Sequence, residues 1–329
     1  MGINKKIVFS RRTLLGAATL SAASVALPGA VRAQEAVAHL YVGFPPGGSG
    51  DLFARILAEG LREELKRSIV VENRPGGGGM TVAQNFLRLP KDGNHIMLAT
   101  GSTAIAAPVS RAKAPYNPVE DFQWIALLSN APFVIAVNPT LPVKNLRELV
   151  AYCKERPGKL SYGHAGLGTT VHLAAELFKD SAGVNVLDVP YAGSGPAITD
   201  TIGNTVQMII EATGTLIQHH RSGRLRIVTV MADARDKLLP EIMTSREEGL
   251  DLIAGTCNLL AVPQGTPPAM ADTLARATAR VLEKPATLEK LAALGITPIT
   301  KSSPTEARAF VASEVTRWSA VTKKLGIAL

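Results

Sequence analysis

Short apolar runs recur along the chain, separated by stretches in which apolar residues return every three or four positions. The runs predict strands over His39–Phe44, Ile69–Glu72, His95–Thr100, Phe133–Asn138, Leu160–Gly163, Val186–Val189, Val206–Glu211, Arg226–Val230 and Cys257–Val262. Between them lie amphipathic helices. The spacing predicts one over Asp51–Lys66, with Leu52, Phe53, Ile56, Leu57, Leu61 and Leu65 on one face. Near the C-terminus, Ser303-Pro304-Thr305-Glu306 is a capping box with proline at the first helical position. Ala307, Val311, Val315, Trp318, Thr322 and Leu325 mark the stripe that follows, and Thr266-Pro267-Pro268 opens another helix in the same way.

Strands alternating with helices of this length define βαβ units, mostly parallel sheets and the α/β class. A length of 329 residues suits about two domains. There is no fixed-period repeat and no low-complexity tract. Two runs, Phe133–Asn138 and Thr256–Pro263, are bounded by proline and glycine. They are either central strands or crossovers between two lobes. As crossovers they make the first lobe discontinuous and put a ligand cleft between the lobes.

The N-terminus is read as a segment to be removed. Residues 1–33 hold Lys5, Lys6, Arg11, Arg12 and Arg32 and no acid, then an apolar small-residue run from Leu14 to Leu27. Val31-Arg32-Ala33 supplies small residues for cleavage ahead of Gln34. This order is a secretory signal, and Ser10-Arg11-Arg12-Thr13-Leu14-Leu15 fits a twin-arginine motif, with the general export route as the alternative. The 14-residue run is too short to span a bilayer, which takes about 20 residues. No cysteine near the cleavage point offers a lipid anchor. The formal charge of +8 falls to +3 in the remaining 296 residues, with 30 Lys and Arg against 27 acids. That balance gives no footprint for nucleic acid, and the expected product is an exported, soluble periplasmic protein. Cys153 and Cys257 are either a disulfide, which such a compartment permits, or two inert buried thiols.

The informative feature is a glycine-rich loop that opens a helix, and it occurs three times. These are Phe44-Pro45-Pro46-Gly47-Gly48-Ser49-Gly50-Asp51, Gly163-His164-Ala165-Gly166-Leu167-Gly168-Thr169-Thr170 and Pro190-Tyr191-Ala192-Gly193-Ser194-Gly195-Pro196. Glycine lets backbone approach a ligand, and the first turn of a helix offers unpaired N–H groups that favour an anion. Ser49, Thr169, Thr170 and Ser194 add hydroxyl donors. In open α/β sheets such loops lie at the carboxyl ends of the strands, where ligands bind. None is a nucleotide fingerprint: Val171 stands where GxGxxG needs glycine, and no GxxxxGK[ST], GxSxG or HExxH occurs. His219-His220 reads as a helix-end pair. His164 and His172 read as capping or orienting residues rather than metal ligands. Glu211 either faces the cleft or caps the next turn. No cofactor and no metal are expected.

At this point the residues resemble a known family. Gly43-Phe44-Pro45-Pro46-Gly47-Gly48-Ser49-Gly50-Asp51 with Ala54-Arg55 is similar to the opening of the Bug (Bordetella uptake gene) receptors of tripartite tricarboxylate transporters. Val71-Glu72-Asn73-Arg74-Pro75-Gly76, Lys91-Asp92-Gly93, Tyr116-Asn117-Pro118-Val119-Glu120-Asp121-Phe122 and Arg156-Pro157-Gly158-Lys159-Leu160 follow in the family's order. So do Gly166-Leu167-Gly168-Thr169 with His172-Leu173-Ala174, Val189-Pro190-Tyr191-Ala192-Gly193, Gly265-Thr266-Pro267-Pro268 and Trp318. The resemblance covers essentially all of 34–329. It implies a type II periplasmic binding protein with two α/β lobes and a hinge, lobe 1 over 34–131 plus 258–329 and lobe 2 over 132–257. It implies a small organic carboxylate as ligand, a membrane permease of the tripartite type as partner and a monomer as the working form. Carried over by position, the ligand-binding residues are Phe44, Gly48, Ser49, Asp51, Ser102, Thr103, Gly168, Thr169, Thr170, Tyr191 and Ala192. On that reading Thr169→Ala weakens binding and leaves the fold intact. His164, Pro240-Glu241-Ile242-Met243-Thr244-Ser245 and Thr256-Cys257-Asn258 depart from the family's usual pattern. The competing readings are a receptor that presents its ligand to a membrane sensor kinase, and a periplasmic enzyme acting on a small acid, for which no spacing assembles a nucleophile and base.

Overall fold

The computed structural model describes residues 1–2 and 37–329. The expected export signal lies, beyond its first two residues, outside the described residues. In chain order, β1 (Ala38–Val42) leads to α1 (Ser49–Leu65), β2 (Ile69–Asn73), α2 (Met80–Phe86) and β3 (His95–Thr100). A π-helical turn, Ser102–Ala106, runs into the short α3 (Ala107–Val109), followed by β4 (Phe122–Val137) and α4 (Leu146–Glu155). Then come β5 (Ser161–His164), α5 (Thr170–Ala182), β6 (Leu187–Pro190), α6 (Ser194–Ile202), β7 (Met208–Ala212), α7 (Thr213–Arg221) and β8 (Arg226–Val230). The chain ends with β9 (Gly255–Pro263), α8 (Pro268–Glu283), α9 (Pro285–Ala293) and α10 (Pro304–Lys324).

The strand order is β2-β1-β3-β9-β4-β7-β5-β6, with β8 also paired to β4. β1 pairs in parallel with β2 and β3, and β5 pairs in parallel with β6 and β7. The two parallel groups are joined by the antiparallel pair β4 and β9. Each predicted strand is present within a few residues. The exception is β4, which starts at Phe122 rather than Phe133 and runs for 16 residues. Its first part hides from periodicity because the register shifts twice, between Trp124 and Ala126 and between Leu127 and Ser129. Each shift breaks the in–out alternation on which strand prediction rests. The residues up to Pro132 pair with β9, whereas Phe133–Val137 pair with β7 and β8. One continuous strand therefore serves both parallel groups.

Packing follows the predicted stripes. Phe53, Leu57 and Leu61 of α1 are buried with Leu40, Leu98 and Val281. Trp318 of α10 is buried in the largest apolar cluster, with Phe86, Trp124, Phe133 and Phe178. The predicted capping box is formed: the Glu306 amide donates to Ser303 Oγ at 3.2 Å, and the Ser303 amide donates to Glu306 Oε2 at 2.8 Å. Helix α1 begins at Ser49, two residues before the predicted start, which puts Ser49 and Gly50 in its first turn.

Cys153 and Cys257 are both free and buried, so the disulfide alternative is not realised. Burial pushes the Cys153 thiol up to about 11 and raises Cys257 as well. Thiolate is the reactive form, so neither cysteine of the folded protein should react with Ellman's reagent at pH 8. Both should react after denaturation, and one fast thiol in the native state would contradict this packing.

Candidate functional site

The loops after β1, β3, β5 and β6 converge, and the glycine run before α2 joins them. Three contacts show how closely. Ser102 Oγ lies 3.1 Å from Thr170 Oγ1. A Cβ placed at Gly78 would lie 3.3 Å from Thr169 Cγ2, and one at Gly193 would lie 3.9 Å from Pro45 Cδ. Segments from either side of the β4–β9 junction thus meet face to face, as expected for a cleft at the carboxyl ends of strands.

The first loop is held by Asp51. This residue is 1% exposed, and its carboxylate accepts from the Gly47 amide (2.9 Å), Arg55 Nε (3.0 Å) and Asn73 Nδ2 (2.9 Å). Asn73 Nδ2 also donates to the Phe44 carbonyl at 3.0 Å. Burial raises the Asp51 carboxyl, but the bonds from Arg55, Gly47 and Asn73 outweigh it and hold the group below its ordinary value. Asp51 is therefore the internal anchor of the loop. Gly48 and Ser49 are exposed, and among the described residues no side chain caps α1 at its N-cap residue, Gly48.

The second loop is more closed than the sequence suggests. Thr169 is fully buried: its hydroxyl donates to the Gly166 carbonyl at 2.7 Å and accepts from the His172 amide at 3.4 Å. The Thr170 amide donates to Ser102 Oγ at 3.1 Å. Gly168 is buried, with its amide directed to His172 Nδ1 at 3.4 Å, and the Gly166 amide donates to His164 Nδ1 at 3.3 Å. The two histidines orient the loop, as expected from the sequence. Burial lowers both, and for His172 burial and the neighbouring His164 bring the value to about 4. Because the Thr169 hydroxyl is spent as the cap of α5, Thr169→Ala should act first on stability. We expect a loss of about 0.5–2 kcal/mol by chemical denaturation, with Thr169→Ser close to the parent. An unchanged midpoint with weakened ligand binding would restore the direct-contact role read from the sequence.

The third loop is open at its backbone. Tyr191 spends its hydroxyl on Asp200 Oδ2 at 2.7 Å and its amide on the His164 carbonyl at 2.9 Å. Burial and the Asp200 carboxylate push the phenol up to about 12. Ala192 and Gly195 are exposed, and among the described residues no side chain caps α6 at its N-cap residue, Gly193. Ser194 Oγ donates to Glu211, whose other oxygen accepts from the Ala212 amide at 3.1 Å. Glu211 is buried at the end of β7, and burial raises its carboxyl despite those bonds.

The structure thus brings all the carried-over residues onto the converging loops but divides their tasks. Asp51, Thr103, Thr169, Thr170 and Tyr191 have side chains committed within the protein. Gly48, Ser49 and Ala192 are exposed, and Phe44 is half-buried beside them. Asn73 and the glycine run Gly76–Gly79 were given no role from the sequence. The run is visible there, and each of its glycines has positive φ. At Gly79, with φ of 93°, a Cβ would lie 2.0 Å from Thr103 Oγ1, so only glycine lets these two loops touch. Asn73 carries no such signal, because its partners Phe44 and Asp51 are 29 and 22 positions away.

Two α/β lobes around a cleft of this kind define the periplasmic binding protein fold, and the comparisons with known proteins agree. The structure of the periplasmic binding protein BugD superposes with a TM-score of 0.83 at 31% identity, over 89% of this chain and 98% of that one. R. palustris Rpa4515, solved with adipate, gives a TM-score of 0.83 at 30% identity, over 88% and 97%. Among curated relatives, the protein BugT of Bordetella pertussis is 34% identical over 293 residues, 88% of this chain and 90% of BugT. The family model described as tripartite tricarboxylate transporter family receptor matches residues 53–327. The chain belongs to this family, the TctC or Bug receptors, whose members are periplasmic solute-binding proteins.

Proposed function

We propose that this chain captures a small carboxylate, best a short dicarboxylate, and delivers it to a membrane permease of the tripartite type. The observation that carries the reading is the pair of uncapped helix starts, α1 at Gly48 and α6 at Gly193, brought together across the cleft by the approach of Pro45 and Gly193. Each start offers backbone N–H groups and a partial positive charge. A charge-assisted bond is worth about 1.5–3 kcal/mol, so a few from each side support micromolar binding once ordering is subtracted. The adipate bound to Rpa4515 has two carboxylates, as this arrangement favours.

The lobes are assigned as 34–131 plus 258–329 and 132–257. The change of partner along β4 after Pro132 supports that division. Solute binding closes the lobes about β4 and β9, and the closed form docks on the permease. The working form is a monomer. The protein reaches the periplasm through its N-terminal signal, and no catalytic step is assigned to it.

A thermal-shift screen of the mature protein tests this. At 100 times the dissociation constant a ligand adds about 2.7 kcal/mol. A C4–C6 dicarboxylic acid should raise the melting temperature and its diamide should not. Equal shifts with acid and amide would overturn the anion reading.

A further inference from the structure

His164 ends β5 and His172 lies in the first turn of α5, so imidazoles stand at both ends of the second glycine loop. Their ring centroids are 4.9 Å apart. Asp188 of β6 pairs beside Tyr162, which shares a sheet face with His164. One ligand atom from each of His164, His172 and Asp188 lies within 4.8 Å of the other two. His164 is 1% exposed, and its Nε2 has no hydrogen-bond partner among the described residues. The nearest charge, Asp188 Oδ2, is 3.8 Å away, beyond hydrogen-bond range. An unpaired buried polar atom is costly, and this one points at a carboxylate that does not reach it.

We propose that His164, His172 and Asp188 form a binding site for one first-row divalent transition metal ion, with zinc as the favoured occupant. Two imidazole nitrogens and one carboxylate oxygen are a zinc-type donor set, whereas calcium and magnesium take oxygen ligands. Zinc bonds of 2.0–2.2 Å set tetrahedral ligand atoms roughly 3.3 Å apart, so the cage, whose ligand atoms lie within 4.8 Å of one another, must tighten by up to about 1.5 Å. Asp188, 45% exposed at its side chain, has the freedom to swing in and leaves an entry path, and water fills the fourth position. Glu176 does not compete: it accepts from Tyr162 and Lys179, each at 2.7 Å.

The site is coupled to the loop above it. While His164 Nδ1 accepts from the Gly166 amide, the ring proton sits on Nε2. A metal on Nε2 moves that proton to Nδ1, and the ring stays neutral with one proton. The long Gly166 bond of 3.3 Å is then lost. Metal occupancy thus changes which backbone donors the loop presents.

Calorimetry with zinc chloride on the mature chain, free of a polyhistidine tag and stripped with chelator, tests the proposal. One zinc ion per chain should bind with micromolar affinity. His164→Ala should abolish binding, and Asp188→Ala, which alters a half-exposed side chain and leaves the core untouched, should weaken it at least about tenfold. His39→Ala, at the other end of the fold, should bind like the parent. No stoichiometric binding up to about 100 µM zinc, or binding that survives both His164→Ala and Asp188→Ala, overturns it.

Discussion

Gly214→Ala should fold and yet bind its solute roughly 100-fold more weakly than the parent. Gly214 lies in α7, and a Cβ there would sit 2.4 Å from the Gly295 carbonyl oxygen and 2.7 Å from that of Leu294. Both obstacles are backbone, so no rotamer change relieves them. Gly295 itself has φ of 65°, which fixes the turn that presents the oxygen. Overpacking of this kind costs about 1–3 kcal/mol, and 1.4 kcal/mol is a factor of ten in affinity. On the proposed division α7 belongs to lobe 2 and the turn after α9 to lobe 1, so opening the hinge removes the clash. The penalty then falls on the closed form: melting without solute changes little, and affinity measured by titration drops. An equal loss of stability in the unliganded protein, with affinity unchanged, would show that this contact does not move with the hinge.

Asp51→Ala should lose about 3 kcal/mol of stability and most solute affinity together. The buried carboxylate gathers donors from Gly47, Arg55 and Asn73, and with the Asn73–Phe44 bond it ties the first loop to β2. Hydrogen bonds to a charged group are worth about 1.5–3 kcal/mol each. Arg55 is half exposed, so its share is discounted for solvent screening. Asp51→Asn should not rescue, because its amide group would face the same donors with donors of its own. The pH dependence has a definite sign. The folded carboxyl lies below its ordinary value of 3.8, so its contribution is present above that value and is lost as pH falls through the lowered one. Chemical denaturation between pH 7 and pH 3 should show the parent converging on the variant. A constant gap would contradict the assignment.

These two cases show what was legible beforehand. Strands and helices were readable wherever burial imposes one period, as in α1 and α10. The strand β4 was only half visible because its register shifts and the Ser129-Asn130-Ala131-Pro132 stretch interrupt alternation. The converging loops were readable from glycine and the helix starts behind it. What each hydroxyl and carboxylate does there was not. Thr169 and Asp51 have the chemistry of ligand contacts, but partners fixed only by folding, such as Asn73, consume them. Conversely, the free amides of α1 and α6 belong to backbone and leave no side-chain signature. The Gly214–Gly295 approach joins residues 81 positions apart, and neither glycine stands in a motif.

The central claim is that one carboxylate solute is held by helix starts from both lobes. Backbone amide NMR of the mature protein, titrated with adipate or a shorter dicarboxylate, tests it most directly. The account predicts that the amides of Ser49 and Gly50 and those of Ser194 and Gly195 shift together and saturate with one dissociation constant. Shifts confined to one of these helix starts, or saturating shifts elsewhere with both starts unmoved, would contradict it.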